Sequence, residues 1–155
     1  MFTPETKKKK VWRVVMAHQA MFTNGRGHAN EARCLQSGEY FAVGKADGPP
    51  LAGMNLQATL DEFNVHAYLA GHEHVNQFTR KSYRHGDCMH AVVGACVETH
   101  FYKGEIAPPE RMVDVALRDT TGFATLTATA TSLRIDFWDS ASSPPQLVHS
   151  EQIAG

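Results

Sequence analysis

Val65-His66-Ala67-Tyr68-Leu69-Ala70-Gly71-His72-Glu73-His74 is the stretch whose reading decides the fold. Its first six residues are almost continuously apolar, too short for a helix, and closed by a glycine, which is how a strand covered on both faces reads. The strand stops at Gly71, where the missing Cβ is expected to let the backbone turn sharply. Two imidazoles two residues apart, His72 and His74, can then converge on adjacent metal ions, although His-x-His alone is a weak signal. Imidazole suits zinc, iron, nickel or copper, and a strand end holds a ligand with little positional error.

Upstream, Leu51 to Phe63 has helical spacing, with Leu56, Leu60 and Phe63 on one stripe and Gln57, Asp61 and Glu62 away from it. This predicts a helix docked on a sheet. Before it, Phe22 to Pro50 is broken by Gly25, Gly27, Gly38, Gly44, Gly48 and Pro49-Pro50 into a long loop of the kind that carries function. Earlier still, Val11-Trp12-Arg13-Val14-Val15-Met16 predicts a second buried strand, central in its sheet and ending at His18. Strand, loop, helix, strand implies a parallel pair. In parallel sheets the C-terminal strand ends form the crevice where ligands bind, so His18, His72 and His74 are expected at one sheet edge.

Downstream the pattern turns to β after residue 89: Met89 to Val93, Val113 to Leu117, Phe123 to Ala128, Leu133 to Trp138 and Gln146 to Gln152. Alternation in Phe123, Thr125, Thr127 and in Leu133, Ile135, Phe137 fits antiparallel strands with one buried face. Ser140 to Pro145 reads as a turn. The fold class is α/β passing into antiparallel β, within a single domain spanning 1–155.

Composition narrows the function classes. Fifteen Lys and Arg against sixteen Asp and Glu give a net charge of -1, so no global field favours nucleic acid or anionic lipid. Lys7 to Lys10 is a solvated strand entrance rather than a recognition surface. Cys34, Cys88 and Cys96 form neither a closed disulfide framework nor a thiolate zinc motif. No run is long enough to span a bilayer, and the first residues show no apolar signal region.

Trp12-Arg13-Val14-Val15-Met16-Ala17-His18 and Gly71-His72-Glu73-His74 resemble, in order and strand placement, the last two metal motifs of the purple and tartrate-resistant acid phosphatases, members of the calcineurin-like metallophosphoesterases. The resemblance runs from about Val11 to Ile153 and implies the C-terminal half of a four-layer αββα sandwich. It implies a dinuclear metal centre, iron with iron, zinc or manganese, in which His18 and His72 share one ion and His74 takes its neighbour. It further implies that His28, in Asn24-Gly25-Arg26-Gly27-His28, contacts substrate phosphate or protonates the leaving alkoxide, chemistry suited to a group that titrates near neutrality. Arg26 is a candidate for pairing with a phosphate oxygen. Gly94-Ala95 resembles the small-residue turn that follows the histidine motif. His66, His85, His90, His100 and His149 match no ligand motif, and Glu73 is expected to point away.

The pattern also departs from the family. Its three earlier motifs, which carry the aspartates, the asparagine and the carboxylate bridging the metals, are absent, and Gln19-Ala20 replaces a segment in which proline is common. Without the bridging carboxylate two cations repel across nothing but water. The expectation is therefore a phosphate monoester hydrolase, acting by metal-bound hydroxide, whose N-terminal half is missing or supplied by a partner chain, and which is inactive alone. A half-sandwich would expose an edge strand and an apolar face, favouring self-association. A non-catalytic interaction module is the alternative, and a stand-alone three-histidine zinc hydrolase with Glu73 as base is a third reading. Family members are often secreted or lysosomal, which leaves the compartment open.

Overall fold

The computed structural model describes residues 11–23, 56–96, 113–117 and 120–155. Among these described residues eight strands form two sheets. In the first, β1 (Val14–Ala17), β2 (Ala67–Ala70), β3 (Asn76–Tyr83), β4 (Gly86–Val93) and β5 (Val115–Leu117) run in the order β1-β2-β4-β3-β5. In the second, β6 (Gly122–Ala128), β7 (Ser132–Asp139) and β8 (Gln146–Ala154) form an antiparallel meander. The expected mixture of α/β and antiparallel β is what the chain adopts, as two sheets and one helix among the described residues.

β1 and β2 are parallel, with Val14 opposite Ala67 and Ala17 opposite Ala70, and β2 is parallel to β4 from Ala67–Met89 to Ala70–Val92. The helix between the first two, α1 (Leu56–Glu62), buries Leu60. It ends where Asn64 takes a left-handed backbone (φ 51°), with Val65 N–H donating to Leu60 O at 2.9 Å and Asn64 N–H to Asp61 O at 3.1 Å. This double closure spares the last carbonyls of the helix from being left unpaired. It also turns Phe63 out to solvent, so the expected third residue of the apolar stripe does not pack.

Two expectations are corrected by the strand order. Among the described residues β1 is an edge strand rather than a central one: Val14 and Met16 are exposed, Met16 by 80%. Apolar residues show that a strand suits burial on both faces, but which element covers those faces is decided only by the assembled sheet. β3 was not predicted. Its Asn76-Gln77-Phe78-Thr79 run has no apolar alternation, yet all four side chains are buried because β4 and β5 flank the strand.

Two cores result. Tyr68, Cys88 and Val92 pack with Leu60 and the Ala20-Met21-Phe22 segment on the helical side of the first sheet. Ala67, Phe78, Met89 and Ala91 meet Leu133, Ile135, Phe137 and Ile153 between the sheets. The alternation of β7 faces inward as expected, whereas in β6 Phe123, Thr125 and Thr127 face outward and Ala124 and Leu126 pack on the core. Arg80 ties the sheets together, its guanidinium donating to Glu151 Oε2 at 2.7 Å and Gln152 O at 3.0 Å. Among the described residues no helix is long and apolar enough to cross a membrane.

Candidate metal centre

The parallel register of β1 and β2 sets their C-terminal ends side by side, and the chain leaves each strand on a histidine. Gly71 N–H donates to His18 O at 3.2 Å, holding the two exits together. Beyond this backbone link, His72 Nδ1 and His18 Nε2 lie 2.9 Å apart, with ring centroids 4.6 Å apart and planes inclined at 63°. One nitrogen donates and the other accepts, so at least one ring presents a lone pair.

The spacing can be compared with chelation. Nitrogen ligands sit about 2.0–2.1 Å from zinc, and two of them at the tetrahedral angle would be about 3.3 Å apart. At 2.9 Å the pair is at hydrogen-bond distance and would have to open by about 0.4 Å to share one tetrahedral ion. His72 has φ 64°, a left-handed backbone uncommon for a residue with a side chain, though histidine is among those that tolerate it. Such conformations persist only where the surroundings enforce them.

The source of that enforcement is not the glycine the sequence pointed to. Gly71 has no left-handed backbone, and a Cβ built on it meets nothing within 4 Å. Gly94, just beyond β4, is the glycine under constraint: a Cβ there would lie 1.8 Å from Glu73 O, between the two histidines. Gly94 N–H also donates to Val75 O at 3.1 Å, and Glu73 N–H donates to Gly71 O at 2.7 Å. In the sequence Gly94 stood out as part of the small-residue turn Gly94-Ala95 after a strand, which does not reveal what its backbone touches.

The remaining site candidates are distributed as follows. His74 is exposed, and among the described residues no group of three or more His, Cys, Asp or Glu side chains could hold a metal ion. Glu73 is buried, 2% exposed, and forms no such group with the histidines. His28 and Arg26 lie outside the described residues, as do Cys34 and His100. Of the expected ligands, His18 and His72 are thus brought together, and among the described residues no third His, Cys, Asp or Glu joins them in a group that could hold a metal ion.

Three other histidines, His66, His90 and His149, serve packing. His66 Nδ1 accepts from Arg13 N–H at 3.1 Å, and its ring meets Trp12 edge-on at 4.9 Å. His90 is buried against Phe22, Tyr68 and Tyr83, and burial lowers its pKa to about 3. His149 lies beside Phe78 and Phe137. Burial pushes the Cys88 thiol up to about 12, so it stays protonated and unreactive.

Beside the histidine pair a cavity of about 320 Å³ opens between the sheets, lined by Met16, Leu69, Val93, Leu126 and Ile135 among others. Its wall is mainly apolar and reaches Ala17 and Gly71, the neighbours of the two histidines.

No protein-family model matches this chain, and no curated protein does. Among solved structures, a purple acid phosphatase from yellow lupin (Lupinus luteus) seeds is similar at 20% sequence identity with a TM-score of 0.60. The likeness covers 92% of this chain and 25% of the lupin chain, so this chain spans about a quarter of that protein. At that identity it shows a phosphatase-like fold and nothing finer.

Proposed function

We propose that this chain is the histidine-bearing part of a metal-dependent phosphomonoester hydrolase of the purple acid phosphatase type, active only when carboxylate ligands from another polypeptide segment complete its centre. The observation that carries the reading is the His18–His72 pair, two imidazole nitrogens 2.9 Å apart at the C-terminal ends of adjacent parallel strands. The likeness to a solved purple acid phosphatase supports the fold on which such a pair would act.

In this reading His18 and His72 would be ligands of one ion and His74 a ligand of a second, with carboxylates from the other segment completing both. When bound, the metals supply Lewis-acid stabilisation of charge on phosphate oxygen. This chain's own contribution to the chemistry is the proton that His28 gives to the departing alkoxide and the fork that Arg26 offers to phosphate oxygens. The exposed edge of β1, with Val14 and Met16, and the adjoining apolar cavity are where the completing segment would pack.

The test is metal content of the purified chain by plasma mass spectrometry, with p-nitrophenyl phosphate turnover in added zinc, manganese or iron. The expected result is no turnover, and zinc binding of at most one ion per chain that is lost in His72→Ala. Turnover by the isolated chain that disappears in His72→Ala would overturn the claim of incompleteness. Zinc binding unchanged by His18→Ala and His72→Ala would overturn the ligand assignment.

A further inference from the structure

We infer that Gly94 is the positioning residue of the histidine pair: its bare backbone, wedged beneath Glu73, holds the 71–75 turn in the one conformation that brings His72 against His18. The inference deepens the proposed metal role of that pair and rests on it only for its metal-binding consequence.

The turn is held from two sides. On one, Gly71 N–H reaches back to His18 O at 3.2 Å. On the other, Gly94 N–H donates to Val75 O at 3.1 Å, fixing the residue at which the turn enters β3. Between these anchors the Glu73 carbonyl lies against Gly94, 1.8 Å from the place a Cβ would occupy, with Glu73 C at 2.9 Å from the same place. Real Cβ atoms essentially never approach other heavy atoms closer than 3.0 Å, so a side chain at 94 requires the Glu73 peptide to retreat by more than 1 Å.

That carbonyl belongs to the peptide joining Glu73 to His74, one residue beyond His72, and the contact is with backbone, so no rotamer change relieves it. His72 is also the residue held at φ 64°. Left without the wedge, a residue carrying a Cβ would relax from the left-handed region to the broad α or β regions, swinging its ring away from β1. Ligand nitrogens must sit within about 0.2 Å of their coordination distance, so a shift of this size takes the pair out of chelating range.

Three single variants of the full chain separate the roles. Gly94→Ala carries the obstruction. Gly71→Ala adds a methyl one residue before His72, where a Cβ meets nothing within 4 Å. Leu133→Ala opens the core between the sheets, at the far end of β7, and lowers stability without touching the turn. The first readout is metal-free: the nuclear Overhauser contact between the His18 and His72 rings, whose centroids are 4.6 Å apart. The second is zinc affinity by competition with a chromophoric chelator.

The ring contact is expected in the wild type, in Gly71→Ala and in Leu133→Ala, and lost in Gly94→Ala. Zinc affinity should fall about 10–100-fold in Gly94→Ala, as for loss of a supporting contact behind a ligand, and stay within twofold in the other two. Persistence of the ring contact in folded Gly94→Ala would overturn the inference. So would its loss in Gly71→Ala, which remains decisive if Gly94→Ala does not fold, because the positioning glycine would then be Gly71. Loss of the ring contact in Gly94→Ala alone, in a chain whose wild type binds no zinc, would uphold the role of Gly94 and refute the metal reading.

Discussion

His90 makes stability depend on pH in a way that one substitution should isolate. The residue lies mid-strand in β4, opposite Tyr68 on β2 and Thr79 on β3, and is 4% exposed. Phe22 and Tyr83 meet its ring edge-on at 4.7 Å and 6.0 Å, and the Tyr83 hydroxyl shares a hydrogen bond with its Nε2 at 3.0 Å. Burial, reinforced by the nearby Lys81 charge, lowers its pKa from 6.5 to about 3. In the unfolded chain the group titrates normally, so below pH 6.5 the unfolded state binds a proton that the folded state refuses. The contribution is therefore fully present above pH 6.5 and is lost as pH falls toward 3, at about 1.4 kcal/mol per pH unit. Between pH 7 and pH 5 this amounts to about 2 kcal/mol. Urea denaturation at both pH values, on wild type and His90→Gln, should show the wild type losing about 2 kcal/mol more than the variant. An equal loss in the two proteins would refute the reasoning, since the proton uptake would then reside elsewhere.

Two further outcomes follow from the packing. Arg80→Met removes the guanidinium bonds that link β3 to β8, and because the arginine side chain is 36% exposed the loss should be only about 1 kcal/mol. A double-mutant cycle with Glu151→Gln checks it, and additive effects would show that the ion pair contributes nothing. Met16→Lys, at a position 80% exposed on the β1 edge, should leave the unfolding free energy within about 0.5 kcal/mol of wild type while reducing self-association in sedimentation velocity. A destabilisation well beyond that would mean the edge is covered within the folded chain.

Much of the architecture could be read from local pattern, and the failures share one cause. The parallel β1–β2 pair, α1 and the β6 to β8 meander follow from apolar runs, helical spacing and turn residues, each a property of neighbouring positions. β3 escaped because its buried Asn76, Gln77 and Thr79 look like a loop. Asn76 Nδ2 donates to Thr120 O at 3.2 Å and Thr79 Oγ1 to Asp114 Oδ2 at 2.7 Å, partners more than thirty residues away that make such burial tolerable. β1 was expected at the centre of its sheet because its composition suits two covered faces, and composition carries no information about neighbours.

The sequence by itself determined that two strands end on His18 and His72, since strand termination is written in the residues that end each apolar run. It also determined that the chain carries imidazole side chains there. Only the tertiary structure decided that the two rings meet at 2.9 Å, that His72 bears the left-handed backbone, and that Gly94 rather than Gly71 is the glycine the turn requires. The reason is physical: a residue type limits what a backbone can do locally, whereas close approach between segments more than twenty residues apart exists only once the sheet has brought them together.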